Sequence, residues 1–263
     1  MLDQIEVPAD RPAILTISGN GGLGKTSLAA TFPKPIFIRA EDGLSVIPVE
    51  RRPKAFPVLH SVNNEWTPCV DQLWAQLTAL IKEPHDYKTL VIDSITQLDT
   101  IFQNVIVESD ANKPASINQA LGGYGAGWSA LSGMHGRVRR AAGILNTVKA
   151  MNIVFIAHAD TESLDLPDQD AYSVYTIRMH KKSVQHYLDN VDLIGFVRLE
   201  TYTMGKDGER KRALSDGTRV VTCHAVASSV SKNRFGITND LPFEPGKNPF
   251  AGLIPGIYNG DEK

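Results

Sequence analysis

Residues 18–27 read SGNGGLGKTS, and no other stretch restricts the fold of this chain so tightly. Gly19, Gly21, Gly22 and Gly24 leave the backbone bare enough for N–H groups to converge on an anion. A helix starting directly afterwards adds the positive end of its dipole. Gly19-Asn20-Gly21-Gly22-Leu23-Gly24-Lys25-Thr26 fits G-x-x-x-x-G-K-[ST] between the β-rich run PAILTISG and the helix-like GKTSLAATF, the strand–loop–helix setting of a phosphate-binding P-loop. The pattern predicts that Lys25 reaches the β and γ phosphates and that Thr26 ligates Mg²⁺. The amides from Gly22 to Thr26 cradle the phosphates, and Ser27 completes the loop.

The 263 residues suffice for one sizeable α/β domain, with residues 1–10 as an N-terminal extension and 244–263 as a Pro-, Gly- and Asn-rich tail beyond a domain at 11–243. A chain of 42% hydrophobic and 21% charged residues, with no long apolar run and no basic leader, is expected to be soluble and cytoplasmic, with no membrane partner. Cys69 and Cys223 stand too far apart for a zinc site and read as unpaired small residues. A net charge of −2 sets up no global field for nucleic acid, so such binding needs local basic patches.

Along the chain, IFIRAEDG (36–43) reads as a second strand with an acidic end, and Thr67 and Pro68 as the start of a helix over 67–83. KTLVIDS supplies a strand ending at Asp93, followed by helical spacing of Ile95, Leu98, Ile101, Phe102 and Val105. Residues 108–128 read as a long mobile loop, before a helix with Trp128, Leu131, Val138, Leu145 and Val148 inward. NIVFIAHAD is a strand ending at His158, followed by a polar segment over 160–170. Later β-rich runs include a hairpin with its tip at 205–212, so a parallel core is extended by antiparallel strands.

Asp93 is placed to hold Mg²⁺ through water, although a strand-end carboxylate also serves as an N-cap, a role open to Ser94. Glu41 and Asp42 compete as the group that orients the attacking water, and a solvated acidic turn remains an equal reading of both. His158 stands where a γ-phosphate sensor or a merely satisfied histidine belongs. Arg137, Arg139 and Arg140, the Lys181–Lys182 pair and Arg210 to Arg212 are candidate phosphate contacts or solvated faces.

Several of these segments together resemble one family. FIRAEDGL is similar to the RecA-type strand that carries a catalytic glutamate, which favours Glu41, and LVIDS resembles the RecA-type Walker B strand. SKNRFGIT (231–238) contains KNRFG, a motif of the branch-migration ATPase RadA, and GGYGAGW resembles a segment of short phage RecA-like ATPases linked to single-strand annealing. The resemblance covers roughly residues 10–240. His158 departs from it, since RecA has glutamine there, and RadA's zinc-binding cysteines and protease-like domain have no counterpart.

What the resemblance implies is a RecA-like P-loop NTPase using ATP and Mg²⁺, with single-stranded DNA and a single-strand-binding protein as partners. It also implies a homo-oligomer with ATP at subunit interfaces, where Lys232 and Arg234 face a neighbour's γ-phosphate. Residues 109–127 and 159–180 become candidate DNA loops, with Tyr124 and Trp128 as stacking residues. Two other classes stand beside it. One is a nucleotide-dependent assembly or regulatory module acting on a protein partner. The other is a P-loop phosphotransferase, disfavoured because the residues after His158 are acidic where a lid would be arginine-rich.

Overall fold

The computed structural model describes residues 10–165, 167, 170–204, 212–215 and 217–259. Its centre is a mostly parallel sheet. Strands β1 (Ile14–Gly19), β2 (Pro35–Arg39), β3 (Lys54–Ala55), β4 (Thr89–Asp93), β5 (Asn152–Leu164) and β7 (Leu193–Leu199) run parallel, in the order β7-β1-β5-β4-β2-β3. Antiparallel strands extend it: β6 (Tyr172–Ile177) on the far half of β5, and β10 (Arg219–Thr222), β11 (Lys232–Asn233) and β12 (Leu241–Pro242) on the β7 side. A separate ribbon pairs β8 (Tyr202–Met204) with β9 (Arg212–Leu214), as expected for a hairpin. Its tip at 205–211, including Arg210 and Lys211, lies outside the described residues, as do residues 1–9 and 260–263.

Successive strand residues alternate between two buried faces, which is why the central strands read as continuous apolar runs. Ile14, Ile38, Ile92 and Phe155 pack under α2 (Thr67–Lys82), α3 (Ile95–Ser109) and α4 (Ala126–Val148). Leu15, Ile17, Phe37, Val91 and Ile156 face the other way, toward α1 (Lys25–Ala29) and the C-terminal segment. Under the first face His135 is fully buried, with Nδ1 2.8 Å from the Tyr187 hydroxyl and Nε2 3.0 Å from Asp99. Both cysteines are buried and unpaired. Among the described residues, no helix is long and apolar enough to cross a membrane.

Several elements depart from the sequence reading. Trp66 takes the N-cap of α2, leaving Thr67 and Pro68 in its first turn. Residues 108–109 belong to α3 and 126–128 to α4, which shortens the expected loop at both ends. That loop is also anchored: Asp110 accepts from the Leu121 N–H at 2.6 Å, and Ile117 and Ala120 are buried. Val148, expected to face inward, is 72% exposed. Strand β5 does not stop at His158 but runs on to Leu164, so residues 159–164 pair with β6 and take up the first part of the expected polar segment. The tail is not simply a surface segment, because Phe250, Ile254 and Ile257 are buried in the second core.

Candidate active site

The glycine-rich loop joins β1 to α1 at the C-terminal edge of the sheet. Gly22 and Gly24 have φ of 78° and 85°, in the left-handed region that favours glycine. Gly19 is required for a different reason, since a Cβ there would stand 2.6 Å from the Val197 carbonyl oxygen. The N-terminus of α1 has no side-chain cap, so its first amides remain available to an anion. Lys25, only 5% exposed, folds back over the loop and donates from Nζ to the carbonyls of Gly19 at 2.9 Å and Asn20 at 2.8 Å. Burial lowers its pKa, with Asp93 and Glu41 opposing that shift. A buried ammonium that meets only carbonyls is matched to a phosphate.

Three further strand ends bring carboxylates and a histidine to this loop. Asp93, at the end of β4, accepts from Thr26 Oγ1 at 2.8 Å through Oδ2. Burial pushes its pKa up to about 6, against the pull of Thr26 and Lys25. Ser94 supplies the N-cap of α3, accepting from the Gln97 N–H at 3.2 Å, which leaves Asp93 to the cleft. Beyond β2, Glu41 Oε1 lies 3.0 Å from His158 Nε2, and this hydrogen bond is the first cause holding the Glu41 carboxyl below its ordinary range. Asp42 also borders the cleft but is largely exposed and pairs with Arg39 at 3.0 Å. The structure therefore gathers Lys25, Thr26, Glu41, Asp93 and His158 into one cleft of about 640 Å³.

The donor set fits a Mg²⁺–nucleotide. A hydroxyl and a buried carboxylate already face each other, and the phosphates would complete the oxygen ligands that this ion requires. Thr26 and Asp93 would hold the ion, which when bound neutralises charge on the phosphates. No group of three or more His, Cys, Asp or Glu side chains able to hold a metal exists among the described residues.

Lys232 and Arg234 do not join this cleft. Lys232 Nζ donates to the carbonyls of Leu188 at 3.3 Å and Asp189 at 2.5 Å. Arg234 pairs with Asp192 at 3.1 Å, and Asp192 also accepts from the N–H of Ile14, at the opposite end of β1 from the glycine loop. Of the other cationic candidates, Arg137 lies over the Trp74 ring at 4.5 Å and Arg139 bonds the Asn190 carbonyl. A second cluster forms where Trp128 stacks on His180 with centroids 4.2 Å apart, beside exposed Lys181 and Lys182. Tyr124, four residues before Trp128, is fully exposed.

Among the cleft residues that sequence reasoning missed are Gly43 and Arg219. Gly43 packs so closely that a Cβ would stand 2.8 Å from Thr26 Oγ1 and 3.0 Å from Asp93 Oδ2. The EDG triplet carried that signal as a turn glycine after the acidic pair. Arg219 arrives from β10, far along the chain and outside any motif, so only the tertiary fold reveals it.

A phosphate loop at the edge of a mostly parallel sheet, with a hydroxyl and a carboxylate set for Mg²⁺ and a glutamate beside them, defines a P-loop NTPase. Within that class the chain belongs to the AAA domain family, whose AAA_24 family matches residues 11–235. It is thus an AAA-type P-loop ATPase domain. No curated protein matches the chain.

Proposed function

We propose that this ATPase binds single-stranded DNA and promotes annealing or strand exchange, as a RecA-like recombinase of the phage type. The observation that carries the reading is the continuity of β5. Its residue His158 touches Glu41 in the nucleotide cleft, and the same strand runs on into the β5–β6 hairpin. Loss of the γ-phosphate at His158 would therefore act directly on the hairpin's root, coupling nucleotide state to a DNA-contacting segment. The Trp128–His180 stack, the exposed Tyr124 and the neighbouring Lys181 and Lys182 combine aromatic faces with positive charge, the chemistry that binds single strands without reading sequence.

In this reading ATP lies between subunits of a homo-oligomer. Lys232 and Arg234 would turn to the neighbour's γ-phosphate, and a single-strand-binding protein is the natural partner. The exposed Val46, which lines the nucleotide cleft, and the equally exposed Val49 three residues on favour the second reading, a nucleotide-dependent module that acts on a protein partner.

The deciding experiment is the ATPase rate with and without single-stranded DNA at two salt concentrations, with Lys25→Ala as control. Strong stimulation that weakens with salt and disappears in the control supports the DNA reading, because phosphate contacts release counterions. A rate indifferent to DNA rejects it in favour of the protein-directed module.

A further inference from the structure

Arg219 is half-buried in the mouth of the nucleotide cleft, where a Cβ on Gly24 would stand 2.5 Å from its Nη1. Its guanidinium carbon lies 4.8 Å above the Phe243 ring, and Phe243 is itself buried. Arg11, Arg39, Arg198 and Arg234 each pair with a carboxylate, but Arg219 has no such partner among the described residues. A guanidinium held by an aromatic face, short of an anion and adjoining a phosphate loop, is matched to a phosphate oxygen.

Its position selects which phosphate. Arg219 lines the cleft of Lys25, Glu41, Asp93 and His158, and it also lines a second cavity of about 490 Å³ bounded by Ala30, Phe32, Ile47, Pro48 and Phe243. Among the described residues, only Ser27, Val46 and Arg219 border both spaces, while Lys25, Glu41, Asp93 and His158 border the first alone. A triphosphate with its terminal group against Glu41 and His158 would extend toward the second cavity past Arg219, one of the residues lining both spaces.

The geometry points to Arg219 as a clamp on the α-phosphate of the nucleotide bound by its own subunit, with Phe243 as the positioning residue that holds the guanidinium, and with the second cavity, which Thr31 and Arg51 also line, receiving the base. This assignment rests on the ATPase reading of the cleft. It differs from an arginine supplied by a neighbour, because it acts in an isolated subunit and contacts a group common to ATP and ADP.

Titration of the full chain with Mg·ADP and with Mg·ATP tests it, using Arg219→Ala, Arg219→Lys and Phe243→Leu, each with a thermal melt. Arg219→Ala is expected to weaken both nucleotides about 10- to 100-fold with the ATP-to-ADP affinity ratio unchanged. Arg219→Lys is expected to recover only part of the loss, since an ammonium lacks the planar fork and the stacking face. Phe243→Leu should weaken both nucleotides in the same ratio. Native-like affinity for both in Arg219→Ala overturns the proposal, and so does a loss confined to ATP, which would move the residue to the γ end. Should Arg219→Ala melt early, Arg219→Lys decides by the same two readings. Failure of the ATPase reading itself has a separate signature: Lys25→Ala binding both nucleotides as tightly as the native chain.

Discussion

Glu41 and Asp42 are adjacent acids that spacing alone cannot rank, and the structure separates them through their partners. Both line the cleft, but Asp42 is tied to Arg39 and largely exposed, whereas Glu41 is held by His158. Arg39 stands three residues before Asp42 in the local sequence, but the partner that decides Glu41's role does not, because His158 arrives from a distant strand. Replacing Glu41 with Gln removes the carboxylate that can orient the attacking water while keeping the side chain's shape. Steady-state hydrolysis is expected to fall by about 100- to 10,000-fold, with nucleotide still bound in a direct titration. The glycine loop was fully legible in the sequence, since the chemistry there belongs to contiguous backbone. Arg219 was not, because it reaches the loop only through the pairing of β10 with β7.

At the scale of elements, the central strands were readable because both faces are buried and their residues are almost all apolar. The outer half of β5 was not: residues 159–164, ADTESL, lie on a largely exposed hairpin arm and read as a loop. The α4 boundary rests on a close approach, in which a Cβ on Gly127 would stand 2.3 Å from the Ile117 carbonyl oxygen. Gly127→Ala should therefore destabilise the chain by about 1–3 kcal/mol, read as a lower urea midpoint with unchanged slope. The buried His135 sets a pH dependence. Neutral imidazole satisfies both neighbours by donating from Nε2 to Asp99 and accepting from the Tyr187 hydroxyl at Nδ1. Burial lowers its pKa below the ordinary 6.5, so on acidification the unfolded chain takes up the proton first. Stability from this group is present above pH 6.5 and lost as pH falls toward the folded-state value. The melting temperature should drop over that range, and His135→Gln should lose part of this pH dependence.

For the molecule as a whole, one apolar layer closes only with help from the C-terminal segment. Phe250 meets Phe32 with centroids 6.1 Å apart, and Ile254 and Ile257 are buried in the same layer. The surrounding prolines and glycines concealed these three anchors from a compositional reading. Deleting residues 244–263 is expected to remove on the order of 5 kcal/mol, comparable to the whole stability of many domains, and to appear as loss of a cooperative thermal transition. Asp192 joins distant parts of the chain in another way. Its Oδ1 meets Arg11 at 2.6 Å and Arg234 at 3.1 Å, while Oδ2 accepts from the Ile14 N–H at 2.9 Å. A carboxylate with three donors can release one without being stranded as a bare buried charge. Arg234 is thus the replaceable member of a redundant set, and an outside anion need only outbid a shared carboxylate oxygen to recruit it.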